Sequence, residues 1–170
     1  MMNGIVESGT DKIGLLENFF PTDAQTVDTG EAKLSFLKVK TDKPTVIFSK
    51  QVDDCIPVIM WGKTRDDNEF IALVHNTAGS NLSQTLKENN IIIPPGEVGY
   101  RIEPGKGSDD KAVRLLEEEC SQLFKDKIPT KNIPSIIRIK SPYQNNKANI
   151  SVRQNAGGPV EIMIVEPNIG

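Results

Sequence analysis

Histidine is all but missing from this sequence: His75 is the only one. Cysteine is nearly as scarce, with Cys55 and Cys120 far apart along the chain. A zinc site needs three or four ligands at local spacing, so one His and two separated Cys do not supply one, and neither a metal nor a cofactor is expected. Two isolated thiols are no disulfide framework. They predict free cysteines in a reducing, cytoplasmic compartment. Aromatic residues are only 5% of the chain, so the core must be aliphatic and base-stacking platforms are excluded. An excess of basic residues is also lacking. The net charge of -3 argues against a nucleic-acid partner, because phosphates demand a basic footprint. No apolar run approaches the roughly 20 residues that cross a bilayer, so a soluble chain without a membrane partner is expected. Met1–Thr10 has neither a basic segment nor an apolar one, which predicts no cleaved secretory leader. Secretion by a route without a cleaved signal would leave no such mark.

What is present fits one domain over residues 1–170, with 37% apolar and 25% charged residues. The first thirty residues are the least patterned, and the core is expected over 32–166. Asp11–Phe20 reads as a short helix stopped by Pro21. Strand patterns occupy Ala32–Lys40, Thr45–Ser49, Cys55–Gly62 and Glu69–His75. Gly79–Asn90 reads as a helix with Leu82 and Leu86 on one face. The clearest helix is Ser108–Lys127, with Ser108 as N-cap, Asp109 and Asp110 in the first turn, and an apolar stripe including Leu116, Cys120 and Phe124. Strands at Ser135–Ser141, Ala148–Gln154 and Pro159–Glu166 follow, the last two joined by a hairpin at Asn155-Ala156-Gly157-Gly158. The order is mostly strands with two helices inserted midway. The expected fold is α+β: a layered, mostly antiparallel or mixed, sandwich-like sheet arrangement with helices on one side.

The two cysteines are not equivalent. Cys120 lies on a helix's apolar stripe and reads as a small buried hydrophobe. Cys55 opens an apolar strand after the acidic turn Asp53-Asp54, where a thiol can be reached from solvent. A hairpin symmetric about Arg65 would pair positions summing to 130 and set Cys55 opposite His75. Cross-strand neighbours share a face, with Cβ atoms about 4.5–5.5 Å apart. An imidazole there could take the thiol proton and return it to a leaving amine. The alternative is that Cys55 is a strand-end core residue and His75 a hydrogen-bonded strand end.

Other signals lead nowhere. Pro104-Gly105-Lys106-Gly107-Ser108 resembles a phosphate loop, but Tyr100 and Gly107 occupy the positions where such a loop needs Gly and Ser or Thr. It reads as a turn feeding the long helix. Asp53-Asp54, Asp66-Asp67 and Glu117-Glu118-Glu119 read as solvated surface.

A Cys opening the strand CIPVIMW, a polar turn, and a second strand running FIALVHNT through His75 resemble the CheD-like protein glutamine deamidases, a group that includes a chemotaxis receptor deamidase and the catalytic domains of bacterial toxins. The long helix DDKAVRLLEEECSQLF and the closing strands around Gly157-Gly158 extend the likeness in element order over about residues 45–166. The resemblance implies a cysteine nucleophile, Cys55, and a histidine, His75. It also implies an upstream hydroxyl that orients the histidine; the matching position, six residues before the cysteine, is Ser49. No cofactor is implied. The partner would be a protein bearing a reactive glutamine, and the setting a cytoplasm or, for a toxin-like effector, a host cytosol. The sequence departs from the family beside the nucleophile, where Gly and Ser are usual and Asp53-Asp54 stand here. Two carboxylates should raise the thiol pKa unless they point away. A non-catalytic binding module on the same scaffold, or another thiol amidohydrolase or peptidase, are the alternative readings.

Overall fold

Two dense apolar runs set the architecture. Ile56–Thr64 (β4) and Glu69–Asn76 (β5) show little alternation because both faces of the pair are covered. On one face Ile59, Trp61, Ile71 and Leu73 join an aliphatic core shared with a second sheet. On the other, Val58, Met60, Phe70, Ala72 and Val74 pack beneath two helices. The computed structural model describes residues 9–39 and 41–169, so the leader reading of the first residues and the last residue of the expected strand Ala32–Lys40 lie outside it.

The sheet around β4 has the order β2-β5-β4-β6-β7, with Ala32–Phe36 (β2), Gly96–Ile102 (β6) and Ile128–Pro129 (β7). The facing sheet runs β1-β3-β9-β10-β8, built from Gln25–Thr26 (β1), Thr45–Val52 (β3), Ser135–Lys140 (β8), Ala148–Gln154 (β9) and Glu161–Glu166 (β10). Ile47, Ile150, Val152, Ile162 and Ile164 point inward. Most pairs are antiparallel; β8–β10, β1–β3 and β6–β7 are parallel, so both sheets are mixed. The fold is a sheet-dominated, layered α+β arrangement.

Leu82–Glu88 (α2) and Asp110–Leu123 (α3) share one side, as expected for the two mid-chain helices. Gly9–Phe19 (α1), expected over Asp11–Phe20, does not share that side. Its Phe19 and Leu16 lie on the opposite outer face, with Ile139, Met163 and Val165. Ser151 Oγ donates to the Phe19 carbonyl there. Three local expectations also change. The N-cap of α3 is Asp109, whose side chain accepts from the Ala112 N–H, while Ser108 Oγ donates to the Gly105 carbonyl. Glu119 is no free surface charge: its carboxylate accepts from the N–H groups of Leu82 and Ser83 and so caps α2. β6, absent from the sequence reading, completes the sheet. Val98, Tyr100 and Ile102 alternate along it with Glu97, Gly99 and Arg101, and Gly99 lies beneath Trp61, whose ring a Cβ there would meet at 2.6 Å.

Candidate functional site

The β4–β5 hairpin fixes one half of the site. Pro57 pairs with His75 and Trp61 with Ile71, so paired positions sum to 132, not the expected 130. The loop is Arg65-Asp66-Asp67, closed by Thr64 N–H donating to Asn68 O, with Asp67 at φ 64°. A three-residue loop of this type needs a left-handed residue at its third position, which Asp tolerates and which gives no glycine signal. The shift is even, so parity survives. Cys55, which precedes β4, falls two residues past Pro57 and is therefore a diagonal neighbour of His75 instead of its direct partner. Diagonal neighbours lie about 7–8 Å apart along the backbone, within reach of long side chains.

His75 is 1% exposed and directed between the sheets toward β3. There Ser49 Oγ lies 2.6 Å from His75 Nδ1 and donates to the Val27 carbonyl, also at 2.6 Å. A hydroxyl has one proton. With that proton committed to a carbonyl, which can only accept, the imidazole must donate from Nδ1. Nε2 is then the basic nitrogen, and it is buried with no hydrogen-bond partner among the described residues. Burial lowers the His75 pKa; the Val27 carbonyl and the charges of Asp28 and Asp54 oppose this. A β-bulge between Ser49 and Val52 keeps both residues on the inner face.

The segment before β2 closes the site. Gly30 N–H donates to His75 O and His75 N–H donates to Glu31 O, so the turn at Asp28–Glu31 is clamped to the histidine's own backbone. It brings the Thr29 hydroxyl to Cys55 and Asp28 to His75. Sequence reasoning passed over this turn because it falls in the least patterned thirty residues; Gly30, at φ 79°, was its only local mark.

Cys55 is buried at 8% exposure and not open to solvent as its place after Asp53-Asp54 suggested, because the Thr29 and Ala78 segments and the Gly105 turn close over it; its Sγ donates to Asp54 Oδ1 at 3.7 Å. Burial pushes the thiol pKa up, and the charge and hydrogen bond of Asp54 add to that. The Thr29 hydroxyl and the Ala78 N–H pull the other way. Thus Ser49 and His75 are hydrogen-bonded, whereas no hydrogen bond joins Cys55 to His75. The resting state holds a neutral thiol beside a neutral ring.

The Gly105–Ser108 turn serves this site and not a phosphate. Gly105 N–H donates to Cys55 O and Gly107 N–H to Asp53 O, so the amides that might cradle an anion are already used. A Cβ on Gly105 would collide with the Asp53 carbonyl. Cys120 sits fully buried on the inner face of α3, its pKa pushed up to about 12 by burial and by Glu119 and Glu117. A cavity of about 770 Å³ opens between α3 and the loop after β5, lined by Ile56, Asn76, Ala78, Leu115 and Leu116 among others. Ile56 and Asn76 are the chain neighbours of Cys55 and His75. Among the described residues no cluster of three or more potential metal ligands occurs, and no helix is long and apolar enough to cross a membrane.

No protein-family model matches the chain, and no curated protein matches it.

Proposed function

We propose that this chain is a cysteine-dependent amide hydrolase that converts glutamine side chains of a protein substrate to glutamate. The observation that carries the reading is the state of His75: Ser49 fixes the proton on Nδ1 and leaves a buried, unpartnered lone pair on Nε2, diagonal to the less deeply buried of the two thiols. In the reaction the Cys55 S–H bond breaks toward Nε2 as sulfur attacks the carboxamide carbon. The imidazolium returns that proton to nitrogen as the C–N bond breaks and ammonia leaves. Water then gives a proton to the same Nε2 as its oxygen attacks the thioester carbon; the C–S bond breaks, the proton returns to sulfur, and glutamate is released. The Ala78 N–H and the Thr29 hydroxyl, which favour negative charge on sulfur, are placed to favour it on the neighbouring oxyanion as well. Because burial disfavours both the thiolate and the imidazolium, proton transfer accompanies attack and no ion pair waits at rest. The thiol must stay reduced, which suits a cytoplasm, including that of a host cell.

The experiment is mass spectrometry of proteins incubated with wild type and with Cys55→Ser. A gain equal to the exchange of an amide for an acid at glutamine, lost in the variant, supports the reading. The second reading, a binding module, is favoured by the apolar cavity beside the site. It predicts no glutamine conversion and a biological effect that Cys55→Ser retains.

A further inference from the structure

We propose that Asp54 determines selectivity at this site: at rest it holds the Cys55 thiol proton away from His75, and a cationic side chain beside the target glutamine draws it off. This rests on the deamidase reading. Two geometric facts fit together. The thiol directs its proton to Asp54 Oδ1 at 3.7 Å, and the base that must receive that proton, His75 Nε2, has no partner. Asp53 does not share the role. A Cβ built on Gly107 would stand 2.8 Å from Asp53 Oδ1, so this carboxylate lies over the glycine turn.

The surroundings specify the charge of the substrate. Asp54 and Asp28 are both exposed, both act on His75, and among the described residues neither forms an ion pair. The other groups reaching Cys55, Thr29 and Ala78, are uncharged. Two unpaired carboxylates beside a buried neutral base attract a cation and repel an anion. A Lys or Arg next to the glutamine pairs with Asp54 and frees the S–H to turn to Nε2. The S–H bond then breaks toward that nitrogen while the C–S bond forms. A glutamine flanked by acids meets repulsion and leaves the proton where it is.

The test uses the full chain and two kinds of probe. Cys55 alkylation is timed from neutral to alkaline pH with neutral iodoacetamide and with anionic iodoacetate, for wild type, Asp54→Asn and Asp53→Asn. Asp54→Asn should raise the neutral-pH iodoacetamide rate roughly three- to tenfold, as expected when one adjacent like charge is removed, and should shift the profile to lower pH. Its gain with iodoacetate should be larger still, while Asp53→Asn changes little. Peptides carrying Gln between lysines or between glutamates supply the second readout. Wild type should prefer the lysine peptide, and Asp54→Asn should lose most of that preference. Unchanged alkylation in Asp54→Asn, or an equal shift in Asp53→Asn, overturns the hold on the thiol whether or not turnover occurs. Turnover without a lysine preference overturns the selectivity. A shifted alkylation profile with no deamidation of any peptide confirms the hold and rejects the deamidase reading.

Discussion

Ser49 stands between a carbonyl and an imidazole, 2.6 Å from Val27 O and 2.6 Å from His75 Nδ1, and this position dictates which ring nitrogen is basic. Ser49→Ala removes the acceptor for the Nδ1 proton on the inner, buried side of the ring, between the sheets. An unsatisfied buried donor costs about 1–3 kcal/mol, so the variant should fold with a lowered Tm. Deamidation should fall by roughly 10- to 10⁴-fold, the range seen when a histidine loses the partner that fixes its tautomer. Because His75 is the only histidine, one pair of imidazole ¹⁵N signals reports the tautomer without assignment. Wild type should show Nδ1–H, and Ser49→Ala a mixture. A wild-type ring protonated only on Nε2 would exclude His75 as the base.

The same burial makes stability depend on pH in a defined direction. His75 is harder to protonate in the folded chain than in the unfolded one. Below the unfolded value, near 6.5, the unfolded chain binds the extra proton and the folded chain does not. Stability is therefore intact above about pH 6.5 and declines as pH falls toward the lower folded pKa. Urea titrations of wild type and His75→Gln across this window should diverge. The wild-type curve falls more steeply on acidification, and the variant lacks that component.

Much of this arrangement was legible from the residue order, and what was not has identifiable causes. Apolar runs signalled the two strands, though not that both their faces are covered, and the pattern from Cys55 to His75 signalled a hairpin that keeps both residues on one face. The pairing was two positions off because Asp67 took the left-handed position without a glycine to mark it. β6 went unseen although Val98, Tyr100 and Ile102 alternate with Glu97, Gly99 and Arg101, because this short run is bracketed by the turn signals Pro94-Pro95-Gly96 and Pro104-Gly105. Ser49 came from the family resemblance alone, which implies a hydroxyl six residues before the cysteine. Thr29 and the Asp28–Glu31 turn could not come from spacing, since they are held to His75 by backbone hydrogen bonds that any sequence can make.

The two thiols should separate cleanly by reagent. Cys120 is fully buried with its pKa pushed up to about 12, whereas Cys55, just before β4, keeps 8% exposure. A thiol-specific chromogen should label one cysteine in the native protein and the second only on unfolding, with peptide mapping placing the first at Cys55. The raised pKa of Cys120 carries a stability consequence of opposite sign to that of His75. Its contribution is present below about pH 9, where both states are protonated, and is lost as pH rises from there toward 12. Cys120→Ala should flatten the alkaline side of the stability curve. Faster labelling at Cys120 than at Cys55 would reverse the assignment of the two thiols.

Gly105 offers the sharpest separation of positioning from chemistry. It touches no reacting group, yet its N–H holds the Cys55 carbonyl at 3.1 Å and its missing side chain admits the Asp53 carbonyl. A methyl group there would overlap backbone, which cannot rotate aside as a side chain can. Gly105→Ala must therefore push the Asp53–Cys55 segment or the Glu103–Ser108 turn outward. Overpacking of this kind costs about 1–3 kcal/mol, so the variant should remain folded at moderate temperature. The displaced thiol should lose alignment with Nε2, and displacements near 1 Å can cost about 10²-fold in rate. The loss should appear in kcat more than in KM, because substrate contacts away from Cys55 persist. Gly157→Ala is the control. It sits at a positive φ of 77°, where a side chain strains the backbone and should destabilise comparably, but it lies in the β9–β10 turn with nothing within 4 Å of its Cβ position. If the two variants lose activity in equal proportion to their lost stability, Gly105 is only structural. If Gly105→Ala alone loses turnover while its Tm matches that of Gly157→Ala, the glycine turn positions the nucleophile.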